Sequence, residues 1–70
     1  MKNYYVKRVE RKSNEENYFV GFIKLGKFGF AEEWANECTL LTFKEAEKAF
    51  LHLTSDIDNL NNYAYTLIQN

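Results

Sequence analysis

The 70 residues include one cysteine, one histidine, three glycines and no proline, and these scarcities exclude several kinds of protein. A lone Cys38 closes no internal disulfide, and Cys38 with His52 is no set of soft ligands for structural zinc. No apolar run approaches the roughly 20 residues that a membrane-spanning helix needs. The segment Met1–Arg8 lacks the apolar core of a signal peptide, so no membrane association is expected and a reducing cytoplasm fits the cysteine usage. No repeat, linker or low-complexity stretch breaks the chain, and no segment carries a catalytic or cofactor motif. The expectation is a protein that is not an enzyme and holds no cofactor and no metal.

What remains is a folding composition, 46% hydrophobic and 27% charged, with an aromatic share of 17% that needs explaining. A chain this short forms a single domain, residues 1–70, and one small core of this kind rarely nets more than about 3–5 kcal/mol. With disulfide and zinc excluded, self-association or a partner is the remaining source of support. The net charge of −1 conceals an asymmetry: residues 1–30 hold seven basic and three acidic side chains, the rest two and seven. A basic face that meets an acidic partner, or nucleic acid, stands beside the plainer reading of a mixed solvated surface.

One helix announces its own start. Thr42 serves as N-cap and Glu45 reaches back to the cap's N–H, a capping box. Phe43, Ala46, Ala49, Phe50 and Leu53 then fall on one side, and Lys44, Glu45, Lys48 and His52 on the other, with an end near Thr54. Leu41, before the cap, is placed to pack on Ala46 as a hydrophobic staple. Tyr4–Arg11, Tyr18–Leu25, Phe28–Trp34 and Tyr63–Gln69 read as strands, rich in β-formers and bounded by polar or glycine-containing turns. Ser55–Asn62 reads as a polar loop, with at most one helical turn capped by Ser55.

The predicted fold is therefore α+β, a two-layer, mainly antiparallel four-stranded sheet in the order β-β-β-α-β with one helix packed on one face. The last strand is expected to lie parallel beside the first, through a right-handed crossover. In the second strand Phe19, Gly21, Ile23 and Leu25 point one way and Tyr18, Val20, Phe22 and Lys24 the other. One helix covers one face, so aromatics including Tyr18 and Phe22, with some of Tyr4, Tyr5, Phe28, Phe30, Tyr63 and Tyr65, are left on the uncovered side. Three readings stay open there: cover by long charged side chains, sheet-to-sheet homodimerisation, or a foreign partner. The partner-binding candidates are Tyr18, Val20, Phe22, Phe28, Phe30 and Trp34.

Lys27-Phe28-Gly29-Phe30-Ala31 shares alternate aromatics with the RNA-recognition signature, but it lacks the glycine after the basic residue and the helix between the first two strands. The alternative function is accordingly a small nucleic-acid-binding module whose basic hairpin, Lys7, Arg8, Arg11, Lys12 and Lys27, follows a phosphate backbone. His52 with Ser55, Asp56 and Asp58 lacks the ordered nucleophile and oxyanion hole of a hydrolytic triad, and a favourable interaction of His52 with the helix C-terminus accounts for it better. Cys38 is expected to be a small buried or half-buried residue.

An aromatic and lysine-rich start (Tyr4-Tyr5-Val6-Lys7), Trp34 followed by Thr42-Phe43-Lys44-Glu45-Ala46 opening a helix, and a Tyr-rich final strand together resemble the small, uncharacterised early proteins of bacteriophages and mobile elements of Gram-positive bacteria. The resemblance implies stoichiometric binding to a host or phage protein and carries no functional residue across. The expected function is a non-enzymatic protein-interaction protein, self-associating as a homodimer or binding a host protein through the uncovered aromatic sheet face, in the cytoplasm of the bacterial host.

Overall fold

In the computed structural model, which describes residues 1–70, every other strand takes its register directly or indirectly from β1 (Lys2–Glu10). Arg11 donates its N–H to the Asn62 carbonyl and Asn70 to the Asn3 carbonyl, so odd-numbered residues of β1 turn their backbone toward one edge. There β5 (Tyr63–Gln69) runs antiparallel, from Tyr4 opposite Gln69 to Glu10 opposite Tyr63. Even-numbered residues turn toward the other edge, where the Glu10 N–H bonds the Glu15 carbonyl. β2 (Glu16–Lys24) holds that edge from Lys7 to Val9 and then leaves it; β4 (Leu41–Thr42) takes it over opposite Lys2 and Tyr4. β3 (Phe30–Ala35) pairs antiparallel with β2 alone. Five antiparallel strands with two helices make an α+β fold.

α1 (Phe43–Thr54) starts where its sequence requires. Thr42 Oγ1 accepts the Glu45 N–H at 3.2 Å and the Glu45 carboxylate accepts the Thr42 N–H at 3.0 Å. Its stripe narrows to Ala46, Ala49 and Leu53, which lie buried with Val6, Phe19 and Leu41; the two alanines let the helix approach the sheet closely. Phe50 is partly buried beside this core, and Phe43 stays half-exposed with its ring edge-on to Tyr4, centroids 5.1 Å apart. Leu41 and Ala46, the pair expected to form a staple, are both buried in this one cluster.

The direction of the last strand departs from expectation. β5 runs antiparallel to β1, not parallel, because Leu41–Thr42 forms a strand of its own. Residues 36–42 carry the chain down to the start of β1, where Thr42 faces Lys2; α1 carries it back up, and only a descending strand can follow. The turn between α1 and β5 is also more ordered than a loop. α2 (Ile57–Asn62) is capped by Asp56, whose carboxylate accepts the Asp58 N–H at 2.9 Å. Ser55 does not cap it: it ends α1, and its hydroxyl donates to the His52 carbonyl at 2.7 Å. Cys38 is exposed rather than buried, in the 36–40 connection.

Thr42→Ala should cost about 1 kcal/mol, the usual worth of an N-cap, read as a lower urea midpoint. The Thr42 backbone N–H, and then its side chain, hold the Glu45 carboxyl below its ordinary pKa. A depressed carboxyl contributes stability present above its unfolded pKa and lost as pH falls through the folded value. Glu45→Gln should therefore fall below wild type at neutral pH, by a small amount because Glu45 is exposed and screened, and the gap should close in acid.

Candidate protein-binding surface

Where β2 leaves β1, it and β3 continue as a two-stranded arm. The register steps from Phe19 opposite Trp34 to Gly21 opposite Glu33, so β2 carries one extra residue at Val20, a β-bulge. A bulge changes which face the following residues occupy. Phe22 consequently lies on the helix side, not on the uncovered face, with its ring 5.0 Å from Phe19 and 5.3 Å from His52. Trp34 is on the same side, against Phe19 at 5.4 Å, and Phe30 lines the same flank of the arm.

The helix-free face is correspondingly poorer in aromatics than expected. Tyr5 and Tyr18 pack edge-to-face there, 5.7 Å apart, on half-buried positions. Tyr4 contacts Phe43 at the helix start, and Tyr63 and Tyr65 join Trp34 and Arg8 on the helix side. The Arg8 guanidinium lies between the Trp34 ring, at 4.0 Å, and the Tyr63 ring, at 4.4 Å, a cation–π sandwich. The Trp34 Nε1 and the Tyr65 hydroxyl beside it are buried without partners, and burial raises the Tyr65 pKa. Trp34, named from sequence as a surface candidate, thus packs against the core and holds Arg8.

Exposed apolar surface is instead concentrated on the arm. Leu25 and the 3₁₀ turn Gly26–Phe28 form its tip, and Gly29, at φ 99° and ψ −142°, takes a conformation essentially reserved for glycine to start β3. Phe28 is 93% exposed and Phe30 69%, with Leu25 about half-exposed at the tip and Ile23, opposite Ala31, about half-exposed on the other face of the arm. At the base of the arm a groove of about 320 Å³ opens between β2, β3 and α1, lined by Phe22, Phe30, Glu32, Lys48 and His52. From Asn17 to Ala31 the chain carries no acidic residue, so Lys24 and Lys27 make the tip basic as well as aromatic. Leu51, exposed on α1, stands apart on the side of the helix away from the core.

The six candidates therefore divide. Phe22, Phe28 and Phe30 share the arm, Tyr18 is on the opposite face, Val20 is the bulge, and Trp34 supports the core. Reasoning from sequence missed Leu25, Lys48 and His52 as neighbours of this surface; Gly21 inside a strand was the available sign of the bulge that turns Phe22 toward His52.

The five basic candidates are not brought together. Lys7 pairs with Glu16 at 3.1 Å, the single ion pair of the molecule, and the Glu16 hydrogen bond and charge raise its pKa. Arg8 is sandwiched on the other face. Arg11 donates through Nε to the Leu60 carbonyl at 2.9 Å, binding α2 to the end of β1. Lys12 stands in the β1–β2 turn and Lys27 at the far tip. Chemically, His52 has an aromatic neighbour and no hydroxyl nucleophile, since Ser55 and Asp56 are used as caps. No group of three His, Cys, Asp or Glu side chains is placed to hold a metal ion, and no helix is long and apolar enough to cross a membrane.

Comparison with protein-family models, with characterised proteins and with solved structures found no match.

Proposed function

We propose that this chain is a non-enzymatic interaction protein that binds another protein through the tip and inner flank of the β2–β3 arm. The observation that carries this reading is Phe28, 93% exposed at the end of a projecting hairpin with no internal contact to explain it. The arm fits a partner with an apolar pocket rimmed by acidic side chains: Phe28 and Phe30 are anchors of the type that dominates interface energetics, and Lys24 and Lys27 flank them. The resemblance to small phage-encoded proteins makes a bacterial host protein, in the host cytoplasm, the partner of choice. The arm replaces the helix-free sheet face as the binding surface, because the aromatics of that face, Tyr5 and Tyr18, are half-buried against each other.

A nucleic-acid strand is the competing ligand for an aromatic, basic tip. Support for it is thinner, because Lys7, Arg8 and Arg11 are used inside the molecule and Glu32 and Glu33 follow directly on the arm. The test is site-specific crosslinking from position 28 in nuclease-treated extract, which separates the two ligands.

A further inference from the structure

The outer strands of the sheet, β3, the two-residue β4 and β5, are not equivalent. β3, at one edge, carries Glu32 and Glu33, both exposed, and faces a bulged β2; charge and bulging are the usual guards against pairing with another chain. β5, at the other, has seven residues, no charge, no proline and no register shift against β1. It is an unguarded edge.

Its free groups can be named. The bonds from Arg11 to Asn62 and from Asn70 to Asn3 set the alternation, so Ala64, Thr66 and Ile68 turn their backbone groups to β1. Tyr65, Leu67 and Gln69 turn theirs outward; the Tyr63 N–H, also outward, is satisfied by the Asn59 carbonyl. An antiparallel copy centred on Thr66 would set Tyr65 opposite Leu67 and Ala64 opposite Ile68, apolar pairs on both faces with no like charges to oppose them. The strand is complementary to itself.

We propose that two copies of this chain pair edge to edge and antiparallel through β5, making one continuous sheet across a two-fold axis near Thr66. The pairing satisfies the row of backbone groups, closes the one long uncharged edge, and extends a core that has just six buried residues in the single chain. The dimer leaves β3 and the arm at both outer ends, so it presents two copies of the binding tip. It does not depend on the arm's partner.

Sedimentation velocity over a concentration series, with amide hydrogen exchange, tests this. A dimer is expected, with the Tyr65, Leu67 and Gln69 amides gaining protection as concentration rises. Thr66→Glu places two carboxylates face to face across the two-fold axis while facing Lys7 within its own chain, and Gln69→Pro removes an outward N–H without touching the β1 ladder. Each should weaken the dimer by about tenfold or more with an unchanged circular dichroism spectrum, whereas Phe28→Ser should leave it intact. A chain that is monomeric throughout overturns the proposal. So does a dimer that both edge variants leave unchanged, one that Phe28→Ser dissolves, or assembly into open-ended polymers.

Discussion

Leu53→Ala should unfold a large fraction of the molecules at room temperature. Leu53 is fully buried and is the one large α1 side chain in the core, since its companions on that stripe are Ala46 and Ala49. It packs in one cluster with Val6, Phe19 and Leu41, the strand residues that α1 covers. Truncating a leucine in such a place costs about 2–5 kcal/mol, comparable with the roughly 3–5 kcal/mol that a core of this size rarely exceeds. Leu51→Ala, two residues away and 61% exposed, should change stability by less than about 0.5 kcal/mol. Urea titration followed by the fluorescence of Trp34, the sole tryptophan, should separate them, because its ring abuts Phe19 in the core.

Phe28→Ser with Phe30→Ser should have the opposite profile, with full stability and no binding. Neither ring belongs to the core cluster, so replacing them removes apolar surface that water already touches. If the arm is the docking element, these rings are its anchors, and an aromatic anchor is worth about 2 kcal/mol or more. Losing one should weaken the complex at least about thirtyfold, and losing both should abolish capture at micromolar concentration. Tyr5→Ser with Tyr18→Ser, on the helix-free face, should retain binding and instead lose some stability, because that pair is half-buried.

These contrasts also show where the sequence was and was not readable. α1 was legible because its signal is local: Thr42 and Glu45 specify the start, and a 3.6-residue period specifies the buried face. The bounds of β5 were legible for a similar reason, since the polar Asn59–Asn62 run gives way abruptly to alternating residues at Tyr63. Its direction was not. Direction depends on how many times the chain crosses the sheet, and the two-residue strand Leu41–Thr42 adds a crossing too short for composition to mark. The faces of β2 failed for a different reason. Strict alternation holds only while the register holds, and the extra residue at Val20 moves Phe22 across the sheet to meet His52. That bulge is why Phe22 lies on the helix side, whereas Tyr4, Tyr63 and Tyr65 lie there because they share the face of Val6, and Phe28 sits in the turn at the arm tip. Arg8 illustrates the limit of reading charge from sequence, since a residue counted toward a basic surface is held between two rings.

Crosslinking from the arm tests the central claim most directly. A photoreactive phenylalanine analogue at position 28, with positions 5 and 51 as controls on the helix-free face and the outer side of α1, reports which surface meets the partner. In nuclease-treated extract of the producing cells, position 28 should yield one discrete protein adduct that Phe30→Ser abolishes, and positions 5 and 51 should yield none. An adduct from position 5 without one from position 28, or a position 28 adduct that disappears on nuclease treatment, would contradict the account.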